Sequence, residues 1–133
     1  MFVPMPPRRH TRIHDFVGIW DLVLWILNFT IMDCIFCKIA KGEIDSAKIY
    51  EDENTFSFLD IKPFTKGHAL VIPKQHSENI FDISEDALEK VIITGKKISE
   101  KIKTTLKADG IRLSQSNGKA AGQDIMHFHL HVI

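Results

Sequence analysis

The chain ends in His127-Phe128-His129-Leu130-His131-Val132-Ile133. Read as a strand, this segment alternates faces, so His127, His129 and His131 share one side and Phe128, Leu130 and Val132 the other. The second set reads as core. The first is a row of imidazoles about 7 Å apart. Such a row suits nucleophilic attack by a neutral ring nitrogen; H-x-H on a strand is also a zinc arrangement. An idle, solvent-facing row is the poorer reading, because clustered rings that titrate near neutrality cost stability. Just upstream lies Asn117-Gly118-Lys119-Ala120-Ala121-Gly122-Gln123. Its small residues let backbone N–H groups approach an anion closely, and Asn117 and Gln123 add neutral donors; an ordinary turn is the alternative. Cys34 and Cys37 form a C-x-x-C pair. Two cysteines make no disulfide framework, and the spacing suggests a metal half-site or a redox pair, either suiting a reducing compartment.

These groups need a scaffold, and the pattern supplies one. Ile35 to Ala40 reads as a short helix or turn ended by Gly42. Ala47 to Glu51 and Thr55 to Leu59 read as a hairpin around Asp52-Glu53-Asn54. His68 to Ile72 reads as a buried strand stopped by Pro73. Ser84 to about Leu106 is the one long helix, with Leu88, Val91, Ile92, Gly95, Ile98, Ile102 and Leu106 on its apolar stripe and Ser84 as N-cap. Ile111 to Ser116 and Met126 to Ile133 read as two further strands. The layer rule gives an α+β domain: an antiparallel sheet of about five strands, one long helix and a short N-terminal helix.

The bulk numbers agree. With 133 residues, one domain is expected, and 17 Lys plus Arg against 17 Asp plus Glu gives no positive field for nucleic acid. Residues 1–31 do not conform. A Pro- and Arg-rich start precedes an apolar run over residues 16–31 that contains Trp20 and Trp25 and is interrupted by Asp21. That run falls short of the roughly 18–20 apolar residues needed to span a bilayer. The preferred reading is a start placed too early, with Met32 opening the domain of residues 32–133; a short interfacial anchor is the alternative.

The pattern G-Q-x-x-x-H-x-H-x-H-x-x from Gly122 to Ile133 resembles the signature of the histidine triad (HIT) family. Cys34 to Ile44 resembles the opening of its Hint-like, bacterial-type members. Phe58 to Pro63 and Lys66 to Lys74 resemble its two central blocks, so the likeness runs from Asp33 to Ile133. It implies a hydrolase or transferase acting on the α-phosphate of purine nucleoside phosphoramidates or related nucleotides, such as dinucleoside polyphosphates. His129 is the implied nucleophile, forming a covalent nucleotidyl-histidine without a catalytic cofactor. His127 and His131 flank the phosphate, and His68 is the fourth active-site histidine. Asp60 is the implied ribose-binding acid, and Asn117 and Gln123 are implied phosphate contacts. Ile61 and Phe36 fit either base contacts or plain core. The family also implies a cytoplasmic homodimer and, in some members, structural zinc; here the ligands would be Cys34, Cys37, His76 and His127. His127 would then serve the metal instead of the phosphate.

Two departures stand out. Asp124 occupies a position where relatives often carry Ser or Thr, and a carboxylate there repels phosphate unless turned away or protonated. Relatives also continue past this last strand, so a C-terminally truncated domain is expected. Two other functions compete: a metal-dependent hydrolase holding one ion on His127, His129 and His131, and a nucleotide-binding interaction module with little turnover.

Overall fold

A computed structural model describes residues 34–133. The anchor-or-early-start reading of residues 1–31 lies outside the described residues, and among those described no helix is long and apolar enough to cross a membrane.

Alternation builds the sheet. Along β2 (Thr55–Leu59), Phe56 and Phe58 face one side and Thr55 and Ser57 the other. β2 pairs antiparallel with β1 (Lys48–Glu51) and with β3 (Ala69–Pro73), from Thr55 opposite Pro73 to Leu59 opposite Ala69. β4 (Leu113–Ser114) and β5 (Leu130–Val132) complete the sheet in the order β1-β2-β3-β5-β4, all neighbours antiparallel. The fold is therefore the expected α+β arrangement of five antiparallel strands.

One face of the sheet is covered by α2 (Glu85–Leu106), whose N-cap Ser84 accepts the Ala87 N–H at 3.1 Å. Val91, Gly95 and Ile98 pack there with Val71, Phe128, Leu130 and Val132. Ile92, expected on this stripe, is 47% exposed. Thr94 is buried instead, because 100° per residue carries position 94 into line with 91 and 98. Its hydroxyl meets that of Thr55 at 2.8 Å, a buried polar tie between helix and sheet. The opposite face is covered by α1 (Ile35–Ala40), which buries Phe36 and Ile39 against Phe56, Phe58, Leu70 and Ile72.

Four strands have bounds that differ from expectation, β1 only in opening at Lys48 instead of Ala47. β3 starts at Ala69 because the His68 N–H turns back to Thr65 O at 3.1 Å. β4 is confined to Leu113–Ser114, within the expected Ile111 to Ser116. β5 starts at Leu130, not Met126, because the preceding backbone bonds elsewhere: Phe128 N–H to Ser77 O at 2.7 Å, and His127 O to a side chain. Gly67, at φ +86°, makes the turn into β3 and lies against the Leu106 side chain, where a Cβ would collide.

Candidate active site

The histidine row divides. His131 lies on β5 opposite Leu70, and its ring stands 5.0 Å from that of His129. His127, fully buried on the same side, has different partners: its Nε2–H donates to Pro73 O at 2.8 Å, and its Nδ1 faces two thiols. The expected shared face is kept, with Phe128, Leu130 and Val132 in the core on the other side; what divides the row is the set of partners each ring meets. Phe36 packs edge-on against both rings, 6.0 Å from His127 and 5.3 Å from His129.

Backbone groups fix the tautomers of the remaining rings. Phe64 N–H donates to His68 Nδ1 at 3.1 Å. An amide can only donate, so a neutral His68 carries its proton on Nε2. That Nε2 lies 2.9 Å from His131 Nδ1, which must accept, leaving the His131 proton on Nε2 as an outward donor. Burial, reinforced by His129 and His68, holds the His131 pKa below its ordinary value, so the ring is neutral at pH 7. His129 Nδ1 donates to His127 O at 2.7 Å, which leaves the lone pair of neutral His129 on Nε2. In these tautomers the site pairs a ring-nitrogen lone pair with a neighbouring N–H donor.

These bonds do not favour a single ion shared by His127, His129 and His131. Only His129 keeps a free ligand atom, Nε2; His131 presents Nε2–H, and His127 Nδ1 faces another cluster. Asp60, His68 and His131 also lie together, with Asp60 Oδ2 3.6 Å from His68 Nε2. The Phe64 amide makes that Nε2 a donor, which disqualifies it as a metal ligand.

The second cluster is different. Cys34, Cys37, His76 and His127 bring their donor atoms together. Cys34 Sγ is 3.4 Å from His127 Nδ1, Cys37 Sγ is 3.5 Å from it and 3.3 Å from His76 Nδ1, and the two Nδ1 atoms are 3.2 Å apart. A tetrahedral zinc with ordinary bond lengths has S–N edges of about 3.5 Å and N–N edges of about 3.3 Å. The quartet fits. Its protonation state fits too: burial drives the His127 pKa down to about 4, keeping the ring neutral. Burial, with Cys34 beside it, pushes the Cys37 thiol up to about 11, a penalty that a dication would reverse.

The other expected residues fall into place unevenly. Asp60 is beside His68, its Oδ1 accepting the Lys62 N–H at 2.9 Å. Ile61 is 91% exposed, open to a ligand, whereas Phe36 is buried core. Gln123 is buried with its amide committed to the loop: Oε1 accepts Gly118 N–H, and Nε2 donates to Glu78 O and Ile125 O. It braces the loop, so the free donor expected there is not available. Asn117 turns Oδ1 to the Ile80 N–H and Gln115 Nε2. Asp124 is not turned away: its carboxylate lies 3.5 Å from His129 Nε2 while remaining 79% exposed. Sequence reasoning missed Pro73 O, Ser77 O and the Phe64 N–H, because backbone groups carry no signature in residue type.

Residues 41–133 match the HIT domain family model, and the chain belongs to the histidine triad family. It is 44% identical over 101 residues to the protein named hit of Bacillus subtilis, covering 76% of this chain and 70% of that one. It is 41% identical to an adenosine 5'-monophosphoramidase of Candida albicans, covering 75% of this chain and 68% of that one. Among solved structures, a zinc-bound histidine triad family protein of Mycobacterium smegmatis superposes with a TM-score of 0.74 at 42% identity, covering 77% of this chain and 74% of that one.

Proposed function

We propose that this protein is a nucleotide hydrolase or transferase acting on purine nucleoside phosphoramidates or related nucleotides through a covalent nucleotidyl-histidine at His129. The carrying observation is the pair of hydrogen bonds, His129 Nδ1 to His127 O and His131 Nδ1 to His68 Nε2, which in the neutral rings puts the His129 lone pair on Nε2 and the His131 proton on Nε2. The Candida albicans relative's named activity supports the substrate class. The His129 lone pair attacks the α-phosphorus and the bond to the leaving group breaks. The leaving amine or phosphate departs with the electron pair and takes up a proton. Water then attacks the same phosphorus and the pair returns to Nε2. The His131 donor stabilises charge building on the phosphoryl oxygens. Asp60 takes the ribose hydroxyls, Ile61 meets the base, and Asn117 and Gln123 shape the anion loop.

Cys34, Cys37, His76 and His127 would hold zinc, which would supply charge for two thiolates and a structural clamp; the domain of residues 32–133 works in a reducing cytoplasm. A second copy packs against α2 and β4, a reading supported by the exposed Ile92, Ile93 and Leu113 beside an edge strand. The exposed Asp124 carboxylate beside His129 favours, as a second reading, a nucleotide-binding module with slow turnover. Mass spectrometry on protein mixed with an adenosine phosphoramidate separates the two. A nucleotidyl adduct in the native chain, absent from His129→Ala, is expected; binding with neither adduct nor AMP leaves only the module.

A further inference from the structure

The peptide joining His127 to Phe128 is hydrogen-bonded at both ends, its N–H to a residue next to a member of the Cys/His quartet. Its carbonyl accepts the His129 Nδ1–H at 2.7 Å, and its N–H donates to Ser77 O at 2.7 Å. Ser77 follows His76 in the chain, and His76 Nδ1 meets His127 Nδ1 at 3.2 Å. This peptide precedes β5, so no sheet ladder orients it. What fixes it is this set of contacts, together with the His127 Nε2 bond to Pro73 O. On the other side α1 carries Cys34 at its N-cap and Cys37 within it, with Phe36 between them set against the His129 ring.

From this placement we propose that the quartet is a positioning device for the nucleophile: a thiophilic divalent ion on Cys34, Cys37, His76 and His127 locks the His127 carbonyl, and with it the tautomer of His129. The proposal rests on the reading of His129 as nucleophile but concerns how that ring is oriented. Three chain segments converge on the quartet: α1, the loop carrying His76 and Ser77, and the segment before β5. His76 is exposed and its loop is irregular, so without an ion its hold on the peptide depends on few contacts. Cross-linking the three segments makes the orientation of one carbonyl a property of the whole cluster. Cys34, Cys37 and His76 are then positioning residues, acting through the His127 carbonyl and touching no substrate. A clamp serving stability alone would need only that the segments be tied; here the tied peptide also supplies the acceptor that frees His129 Nε2.

Nitrogen-15 NMR of histidine-labelled protein reads the His129 tautomer directly, with or without turnover. In zinc-loaded protein His129 is expected as a single Nδ1–H tautomer. After a chelator is added, at a temperature where far-ultraviolet circular dichroism shows the fold intact, the tautomers mix and adduct formation slows at least ten-fold. The Kd for AMP changes less than three-fold. Zinc restores both readouts in the native chain and in His76→Cys, which keeps four ligands, but not in Cys37→Ser. A His129 tautomer indifferent to zinc overturns the proposal. So does a chelator time course in which tautomer, rate and dichroism are lost together, because the quartet then acts on the fold alone. If the zinc-loaded protein shows the single tautomer yet forms no adduct, the hydrolase reading fails while the positioning role stands.

Discussion

Acid should unfold the metal-free protein earlier than its carboxylates alone would dictate, and His127 sets the size of the effect. The ring is fully buried, and burial holds its pKa at about 4 against an ordinary value of 6.5. Between those values the unfolded chain binds a proton that the folded chain refuses. Stability is therefore complete above about pH 6.5 and falls as pH drops toward 4. The gap of 2.5 units, at about 1.36 kcal/mol per unit, corresponds to about 3 kcal/mol, a large share of the roughly 5–15 kcal/mol of a typical domain. His131, whose pKa is also lowered by burial, adds in the same direction. Asp52 and Asp82 act only at lower pH: burial pushes each up, but amides of Asn54 and Thr55, and of Asn79 and Glu78, pull each below the usual carboxylate value. Urea unfolding of chelator-treated protein from pH 7.5 to 4.5 measures the loss. His127→Gln is expected to be less stable at neutral pH but to have a visibly flatter profile. Zinc shifts the onset of instability to lower pH, since protons must then compete with the ion for Nδ1. A flat profile in the metal-free native chain, or an unchanged slope in His127→Gln, would refute the reasoning.

Three other outcomes are expected. His68→Ala removes the acceptor of the Phe64 amide and the donor to His131 from a buried site, and should cost about 2–4 kcal/mol in urea unfolding and roughly ten-fold in kcat. His68→Gln can keep both bonds, so it should recover most of kcat; equal losses in the two variants would discount the hydrogen-bond chain. Asp124→Asn removes a like charge near the phosphate position; because the group is exposed, the expected gain is a modest two- to five-fold fall in KM, and a rise would mean that the carboxylate assists binding. Gly67→Ala meets both a left-handed backbone and the Leu106 side chain, so about 1–3 kcal/mol of thermal stability should be lost, read by calorimetry.

The sequence by itself determined the elements whose signal is local. The N-cap at Ser84, the periodic face of α2, the hairpin of β1 and β2 and the five-strand architecture all follow from spacing and turn chemistry. The membership of Cys34, Cys37, His76 and His127 in one cluster came from resemblance, and the fold brings those residues together. Only the tertiary structure decided which histidine does what. Alternation puts His127, His129 and His131 on one face, as the fold does, but says nothing of what each ring meets. The sheet ladder begins only at Leu130; before it, Ser77 O captures the Phe128 amide and Pro73 O captures the His127 ring. The tautomers of His68, His131 and His129 likewise depend on a backbone amide at Phe64 and a carbonyl at His127. Every residue carries such groups, so their partners appear only once distant segments have packed together.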